Sequence, residues 1–205
     1  MSTVKDAYTD GARRLATRSM TGLARTRLTP NALTAAGVSI SSLGGVLVYF
    51  EYRNEILFFW TGAAVFVIGS ILDILDGALA RLSGKGTPFG AFLDSTTDRV
   101  SEGIMLGAIA LVFHRDGNEL ALAFAFAAVM GSFLVSYTRA RAEALGLKGD
   151  AGIGSRAERV VVITTGLVLA PWGALQWAIY LLTAAAWVTV LQRILGVRRQ
   201  LVERS

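Results

Sequence analysis

Residues 73 to 98 read Asp73-Ile-Leu-Asp76-Gly77-Ala-Leu-Ala80-Arg81, then eight residues, then Gly90-Ala-Phe-Leu-Asp94-Ser-Thr-Thr-Asp98. The four aspartates of this stretch lie within or beside two strongly apolar segments. A carboxylate in such surroundings is costly unless a cation neutralises its charge. The cluster therefore predicts a metal site.

The spacing of the aspartates favours two helices. The members of each pair are three or four residues apart, which places them on one face of a helix. At about 100° per residue, Gly77 leaves a gap beside the first pair and Arg81 adds a guanidinium on the same side. Gly90 leaves a second gap beside the other pair. We therefore expect two facing helices that present four carboxylates, one guanidinium and room for a ligand.

The composition indicates a polytopic membrane protein. The chain has 205 residues, of which 53% are hydrophobic and 17% charged, and its mean hydropathy is +0.52; such values are typical of membrane proteins. The chain contains no cysteine, which excludes disulfides, thiolate ligands and thiol nucleophiles. Its only histidine, His114, is expected to be an ordinary residue of a short connector.

The fold expected is all-α, with six transmembrane helices in the apolar runs 32–50, 56–80, 89–113, 119–138, 160–177 and 178–195. Of the 20 Lys and Arg residues, seventeen lie before the first run, in alternate connectors or from Arg193 at the end of the last run onward. The other connectors carry only Arg53 and Arg115, and Arg99 lies within a run. By the positive-inside rule, both termini and the aspartates are cytoplasmic in the cell membrane.

Two further segments bear on organisation. Residues 1–28 are expected to be a juxtamembrane segment. Basic and apolar residues are interspersed over 3–27. This pattern fits a cytoplasmic amphipathic helix at the membrane interface, or else a solvated basic tail. Residues 29–205 form the six-helix domain. Gly103 and Gly107 have a GxxxG spacing, which fits either a dimer seam or internal packing.

The chemistry that the aspartates favour is displacement at phosphorus. Four clustered carboxylates repel one another, and two divalent cations would cancel their charge. Oxygen ligands favour Mg²⁺, with Mn²⁺ possible. Two such ions about 3.5–4 Å apart clamp the attacking and leaving oxygens of a phosphoryl transfer. Arg81 is placed to hold a phosphate oxygen.

The spacing as a whole resembles the signature of the CDP-alcohol phosphotransferase family, D-x-x-D-G-x-x-A-R-x(8)-G-x-x-x-D-x-x-x-D, at every specified position. The resemblance implies a six-helix transferase with a cytoplasm-facing cavity, in which an alcohol displaces CMP from a CDP-linked lipid. It implies that Asp98 is the base that deprotonates the alcohol. The implied metal ligands are Asp73, Asp76, Asp94 and Asp98, and the implied CDP-diacylglycerol contacts are Asn31, Ala32, Leu33, Thr34, Gly77, Arg81 and Thr87.

Further segments resemble the actinobacterial phosphatidylinositol-phosphate synthases: Ser136-Tyr-Thr-Arg139-Ala-Arg141-Ala-Glu143, the Gly-Leu-Lys-Gly-Asp that ends at 150, and Arg156-Ala-Glu158-Arg159. This resemblance implies inositol 1-phosphate as acceptor, and a homodimer. The implied phosphate pocket consists of Ser136, Arg139, Arg141, Arg159 and Arg193. The chain departs from the subfamily at Arg139, often a lysine there, and at Ser155 and Ala157, which replace an acid and a proline.

Three alternatives remain open. Glycerol 3-phosphate as acceptor would need the same aspartates and a similar anion pocket. A cation transporter also places carboxylates within the membrane, but here the acids crowd at one face with no second set across the midplane. A binding-only scaffold would carry the cost of four clustered acids without using their chemistry.

Overall fold

A computed structural model describes residues 29–84, 86–149, 152 and 155–204, without the side chains of residues 82 and 83. Within these ranges the chain is all-helical, with no strand. The α-helices are α1 (Pro30–Tyr49), α2 (Glu55–Ser83), α3 (Pro88–Arg115), α4 (Glu119–Ala144), α5 (Arg156–Val168) and α6 (Leu175–Val202). Single 3₁₀ turns occupy Glu51–Arg53 and Ala170–Trp172. The predicted amphipathic segment 1–28 lies outside the described residues.

Local capping sets where the helices of the aspartate stretch begin and end. The Thr29 hydroxyl accepts a hydrogen bond from a backbone N–H in the first turn of α1, and Pro30 follows at the first helical position. Thr87 and Pro88 repeat this arrangement at the start of α3. Helix α2 ends at Gly84, whose φ of 65° favours glycine. The short connection makes α2 and α3 a hairpin with both aspartate pairs near the same end.

Helix α1 holds the hairpin together. It packs closely against both α2 and α3, which make few direct contacts with each other. The α1–α2 contact is a seam of small residues: a Cβ added at Gly69 would lie 2.5 Å from the backbone nitrogen of Ser41, and one at Gly62 would lie 3.0 Å from the carbonyl oxygen of Gly44. Small residues let helix backbones approach this closely within membranes. The seam therefore sets the distance between the two aspartate helices.

The other helices complete the bundle around an apolar core. Helix α4 packs against α3 and α6, and α5 packs against α2 and α6. The fully buried side chains of this core include Met105, Leu106, Ile109, Ile163, Leu167 and Ile179. Large apolar side chains remain exposed on the outer surface, as expected where lipid is the solvent.

Four of the described helices are long and apolar enough to cross a membrane, namely α1, α2 through Arg81, α4 and α6. This supports a membrane protein. Helix α3 carries several charged residues, and α5 has 13 residues, which span about 20 Å of the roughly 30 Å hydrocarbon core. The structure thus contains the six helices expected from the apolar runs, with four of them meeting the length and apolarity of a span.

The predicted boundary of the fifth run, 160–177, was wrong. Helix α5 begins earlier, at Arg156, because Ser155 and Glu158 form a capping box around its first turn. It ends at Val168, and the 3₁₀ turn that contains Pro171 precedes α6. Proline lacks a backbone N–H and disfavours the α conformation in the residue before it, so one helix cannot run through this region.

Candidate active site

Three aspartates from the two hairpin helices converge. Asp73, Asp76 and Asp94 each offer a carboxylate oxygen, and these oxygens all lie within 4.8 Å of one another. Asp73 and Asp76 are buried and Asp94 is half-buried. A buried group of hard oxygen donors fits Mg²⁺ or Mn²⁺ better than zinc. In the described part of the chain, these three residues form a cluster of ligand atoms close enough together to hold a metal ion.

Asp98 lies beside this group rather than within it, and it is paired with cations. Its Oδ1 is 2.8 Å from Nη1 of Arg156, and its Oδ2 is 3.7 Å from Nη1 of Arg99. The same Nη1 of Arg156 also contacts Oδ2 of Asp73. Asp98, one helical turn beyond Asp94 on α3, is therefore contacted by a guanidinium that α5 supplies.

Sequence reasoning missed Arg156 as a member of the site. The sequence places Arg156 in a basic segment that resembles the synthases, but it was assigned no role in the site. The available signal was the Ser155-x-x-Glu158 pattern, which predicts the start of a helix and so places Arg156 in its first turn. That this turn faces the aspartates could not be inferred, because the contact joins segments 83 residues apart.

Thr34 orients one metal-ligand candidate. Its hydroxyl donates to the carboxylate of Asp76 and lies 3.1 Å from the carbonyl oxygen of Pro30. Both Thr34 and Asp76 are almost fully buried. The hydrogen bond restricts the rotation of the carboxylate, and it links the start of α1 to the aspartate cluster.

A cavity of about 230 Å³ opens next to the aspartates and collects most of the predicted nucleotide contacts. A Cβ added at Gly77 would lie 3.6 Å from Nη1 of Arg81, so this glycine borders the guanidinium. A Cβ at Gly90 would lie 3.1 Å from Oδ1 of Asn31 and 3.2 Å from Oγ1 of Thr87. The lining residues are Pro30, Asn31, Thr34, Asp76, Gly77, Ala80, Arg81, Gly86, Thr87, Gly90, Ala91 and Asp94.

Two of the predicted nucleotide contacts lie outside this cavity. Ala32 is exposed and Leu33 is buried in the protein interior. Asn31 and Thr34 line the cavity instead, because residues three apart share a helical face and the two between them point elsewhere.

The predicted acceptor residues separate into a buried and an exposed set. Arg159 is buried: its Nε donates to Oε1 of Glu102 at 2.6 Å, and its Nη2 donates to Oε2 at 2.9 Å. The hydroxyl of Ser132 donates to the same Oε1 at 2.9 Å. Arg193 is also buried and donates to the carbonyl oxygen of Val135. Both arginines thus border the same stretch of α4.

The remaining acceptor candidates lie on the C-terminal part of α4. Arg139 pairs with Glu143 at 2.9 Å, and both side chains are more than half exposed. Arg141 is exposed and Ser136 is half-buried. Glu102 was absent from the predicted site because a carboxylate inside an apolar run gives no indication of its partner.

An apolar groove follows the outer contact of α2 and α5. Its outer part, about 490 Å³, is lined by residues that include Trp60, Val67 and Val168. A neighbouring part of about 220 Å³ shares Val67 and reaches Ile74 and Arg156. The groove therefore leads from the apolar surface to a residue that contacts the aspartates.

Comparison with known proteins confirms the family suggested by the aspartate spacing. Residues 27–195 match the CDP-alcohol phosphatidyltransferase family. A phosphatidylinositol phosphate synthase of Mycolicibacterium smegmatis is 38% identical over 182 residues, covering 85% of this chain and 79% of that protein. An archaetidylinositol phosphate synthase of Pyrococcus horikoshii is 37% identical over 180 residues, covering 87% and 88%.

Solved structures show the same fold. The crystal structure of the Mycobacterium tuberculosis phosphatidylinositol phosphate synthase with CDP-DAG bound has a TM-score of 0.80 and 33% identity, covering 90% of this chain and 94% of that one. The same enzyme in complex with manganese and citrate has a TM-score of 0.78. That ion agrees with the divalent metal inferred from the three aspartates. By sequence over most of its length and by fold, the chain is an enzyme of the CDP-alcohol phosphatidyltransferase family.

Proposed function

We propose that this enzyme transfers the phosphatidyl group from CDP-diacylglycerol to inositol 1-phosphate, forming phosphatidylinositol phosphate and releasing CMP. One observation carries the proposal: a single cavity joins the residues predicted to bind the nucleotide to two of the three converging aspartates. This arrangement would bring the pyrophosphate of CDP-diacylglycerol next to the metal ions that the aspartates hold.

The donor would lie across the cavity and the apolar groove. Arg81 would hold a phosphate oxygen, and Asn31 and Thr87 supply polar atoms at the rim where Gly90 leaves space. The acyl chains would lie in the groove between α2 and α5, whose inner end reaches Arg156. The lipid phosphate would therefore sit between the apolar groove and the aspartates.

The divalent metal would be held by Asp73, Asp76 and Asp94, and we propose two Mg²⁺ ions, with Mn²⁺ possible. When bound, the ions would neutralise the carboxylates and stabilise negative charge on the phosphoryl oxygens and on departing CMP. Thr34 would keep the carboxylate of Asp76 in its orientation through their hydrogen bond.

Asp98 would act as the base, and it would also complete the metal site that the resemblance implies. It would accept the proton of the inositol hydroxyl as that oxygen bonds to the lipid phosphorus and the bond from phosphorus to the CMP oxygen breaks. This role requires hydrogen-bond reach to the acceptor hydroxyl. Asp98 lies beside the three converging aspartates, so it would be close to the phosphorus that the metal ions bind.

The acceptor phosphate would be bound by Ser136, Arg139, Arg141, Arg159 and Arg193. Binding this phosphate would aim the hydroxyl at the phosphorus, which lowers the entropic cost of the reaction. Arg159 and Arg193, which border one stretch of α4, support a phosphorylated acceptor. Inositol phosphate is favoured because the mycobacterial and archaeal relatives share it in their names.

The test is an acceptor assay on the purified full chain in detergent. CDP-diacylglycerol and Mg²⁺ are supplied with labelled inositol 1-phosphate or labelled glycerol 3-phosphate, and CMP and labelled lipid are measured. We expect lipid product and stoichiometric CMP with inositol 1-phosphate only. Product with glycerol 3-phosphate alone would make the protein a phosphatidylglycerol phosphate synthase instead.

Two controls complete the assay. Asp98→Asn should abolish turnover while CDP-diacylglycerol binding persists, and full activity of this variant would refute the base assignment. A chelator should also abolish turnover. Cation flux into vesicles without CMP release from CDP-diacylglycerol would favour the transporter alternative.

We also propose the membrane arrangement that the charge distribution favours. All six helices would span the cell membrane as one domain, residues 29–205, with the active site and both termini cytoplasmic. Residues 1–28 would form the interfacial amphipathic segment, and the enzyme would be a homodimer. Cysteine accessibility at Arg53→Cys and Arg198→Cys would test the orientation, since labelling of both from the same side would contradict it.

A further inference from the structure

The connector between α4 and α5 is fastened to the end of α6 by one side chain. Oε1 of Gln200 accepts a hydrogen bond from the backbone N–H of Lys148 at 2.9 Å, and Nε2 of Gln200 donates to the carbonyl oxygen of Lys148 at 2.9 Å. A side-chain amide has both a donor and an acceptor, so it can hold both backbone groups of one residue. Gln200 therefore ties the connector to α6 in a defined orientation.

The same part of the connector packs closely on α4. The side chain of Leu147 is buried, and its backbone N–H donates to the carbonyl oxygen of Ala142 at 2.9 Å. A Cβ added at Gly149 would lie 2.9 Å from the carbonyl oxygen of Arg139 and 3.0 Å from its Cα, closer than ordinary van der Waals contact. Because glycine has no side chain, the connector can lie directly against the backbone of Arg139, a proposed acceptor residue.

The connector meets α6 a second time, on the face that carries Arg193. A Cβ added at Gly152 would overlap Cγ2 of Thr189. Thr189 precedes Gln200 by eleven residues, or about 16 Å along the helix. At about 100° per residue, Thr189, Arg193 and Gln200 lie within about 40° of one another around α6. The buried Arg193 therefore lies between the two points at which the connector contacts this face.

We propose that Gln200 is a positioning residue for the acceptor: by fastening the connector to α6, it keeps Arg139 and Arg193 at the spacing that the acceptor phosphate requires. The proposal rests on the proposed function, in which these two arginines bind that phosphate. They belong to different helices, and the connector bridges them because it contacts α4 at Arg139 and α6 at Gln200. Arginine binds phosphate in fixed directions, so a change in spacing would weaken acceptor binding. The donor cavity is lined by other residues, so donor binding would persist.

The experiment compares Gln200→Leu with the unsubstituted full chain and with Gln192→Leu, the same change at an exposed glutamine of the same helix. CMP release in detergent, with CDP-diacylglycerol, Mg²⁺ and inositol 1-phosphate supplied, gives kcat and the KM for each substrate. For Gln200→Leu we expect the KM for inositol 1-phosphate to rise about fivefold to tenfold, the ratio that a net hydrogen bond of ordinary strength gives. The kcat and the KM for CDP-diacylglycerol should stay within about twofold of the unsubstituted chain. Gln192→Leu should match the unsubstituted chain in all three constants.

Limited trypsin digestion gives a second readout, which needs no substrate. Trypsin can cut after Lys148 only when the connector leaves α6, so the rate of this cut follows the open population. We expect it to be about fivefold or more faster in Gln200→Leu, because both hydrogen bonds to Lys148 are lost. Mass spectrometry of the fragments identifies the cut. Gly149→Ala, which displaces the connector from Arg139 instead, should reproduce the rise in KM for inositol 1-phosphate, and it decides the matter if Gln200→Leu does not fold.

Three results would overturn the proposal. Faster cleavage after Lys148 with an unchanged KM for inositol 1-phosphate would show that the connector does not position the acceptor. An unchanged cleavage rate would show that Gln200 does not fasten the connector. An equal rise in both KM values would show a general effect on the fold. Failure of the proposed function would look different, because the unsubstituted chain would then form no lipid from inositol 1-phosphate, whereas the trypsin assay would still report on the connector.

Discussion

Glu102 and Arg159 form a two-point ion pair in the protein interior, with Nε–Oε1 and Nη2–Oε2 distances of 2.6 and 2.9 Å. Both side chains are at least 91% buried. Because Glu102 lies one helical turn beyond Asp98 on α3, this pair ties the proposed acceptor arginine to the helix that carries the proposed base. A buried guanidinium with two of its nitrogens held in this way can turn little.

The first prediction concerns this pair. In Glu102→Gln, the amide can accept only one of the two hydrogen bonds and the negative charge opposite Arg159 is lost, which costs about 3–5 kcal/mol for a buried pair. We expect a lower melting temperature and a KM for inositol 1-phosphate raised about tenfold or more, since one lost hydrogen bond to a charged group is worth about 1.5–3 kcal/mol. The KM for CDP-diacylglycerol should change little.

The matched control is Glu143→Gln, which removes the exposed partner of Arg139. An exposed pair one helical turn apart contributes about 0.5 kcal/mol or less, so its melting temperature should stay near that of the unsubstituted chain. An unchanged melting temperature in Glu102→Gln would show that the buried pair does not anchor Arg159.

The second prediction concerns the cavity rim at Gly90. A Cβ there would lie 3.1 Å from Oδ1 of Asn31 and 3.2 Å from Oγ1 of Thr87, closer than ordinary van der Waals contact. Gly90→Ala should therefore displace these polar atoms and raise the KM for CDP-diacylglycerol about tenfold. This is the size of effect expected when one carbon is added to a binding pocket. Gly107→Ala, where a Cβ would meet nothing within 4 Å, should leave this KM unchanged.

The third prediction concerns the seam that sets the position of α2. A Cβ at Gly69 would lie 2.5 Å from the backbone nitrogen of Ser41 and 2.7 Å from the carbonyl oxygen of Gly37. Backbone atoms cannot turn aside as a side chain can, so α1 and α2 must separate. Gly69→Ala should cost about 1–3 kcal/mol or more of stability, as overpacking does. Gly103→Ala, which would meet only the ring of Phe133 at 3.4 Å, should be nearly neutral in a detergent melting assay.

The fourth prediction concerns pH and the connector between α1 and α2. Burial raises the pKa of the Glu51 carboxyl, while the charge of Arg115, 2.9 Å away, opposes that rise. The folded state therefore binds a proton more readily than the unfolded state, so this group contributes stability at low pH that is lost as pH rises through its raised pKa.

Arg115→Met removes the opposing charge and should enlarge this loss. We expect its melting temperature to fall further below that of the unsubstituted chain at about pH 8 than at about pH 5. Arg53→Met, which alters an exposed cation of the same connector, serves as control, and Glu51→Gln in the Arg115→Met background should restore a flat pH dependence. Equal deficits at both pH values would contradict the assignment to Glu51.

The local part of the site was predictable from sequence. Asp73 and Asp76 share a face because they are three residues apart, and Thr87, Pro88 and Gly84 mark the ends of their helices through capping rules that act within a few residues. The family signature then identified Arg81 and Gly90 as neighbours of the aspartates, and both line the cavity next to Asp76 and Asp94.

The contacts between distant segments were not predictable. Nothing in the spacing indicates that Arg156 meets Asp73 and Asp98, or that Glu102 meets Arg159, because these pairs join different helices. Pro171-Trp-Gly-Ala predicts a tight turn between the last two helices, but the exact end of α5 at Val168 was not predictable, because apolarity continues into this turn.

Sequence alone therefore determined the helical character, the acidic quartet and the family, because these depend on composition and on residue spacing along one helix. The tertiary structure decided that the carboxylates of Asp73, Asp76 and Asp94 converge and that Arg156 contacts those of Asp73 and Asp98. That choice depends on how closely α1, α2, α3 and α5 approach one another, and this distance is set by glycine and serine contacts such as Ser41 to Gly69, between residues far apart in the chain.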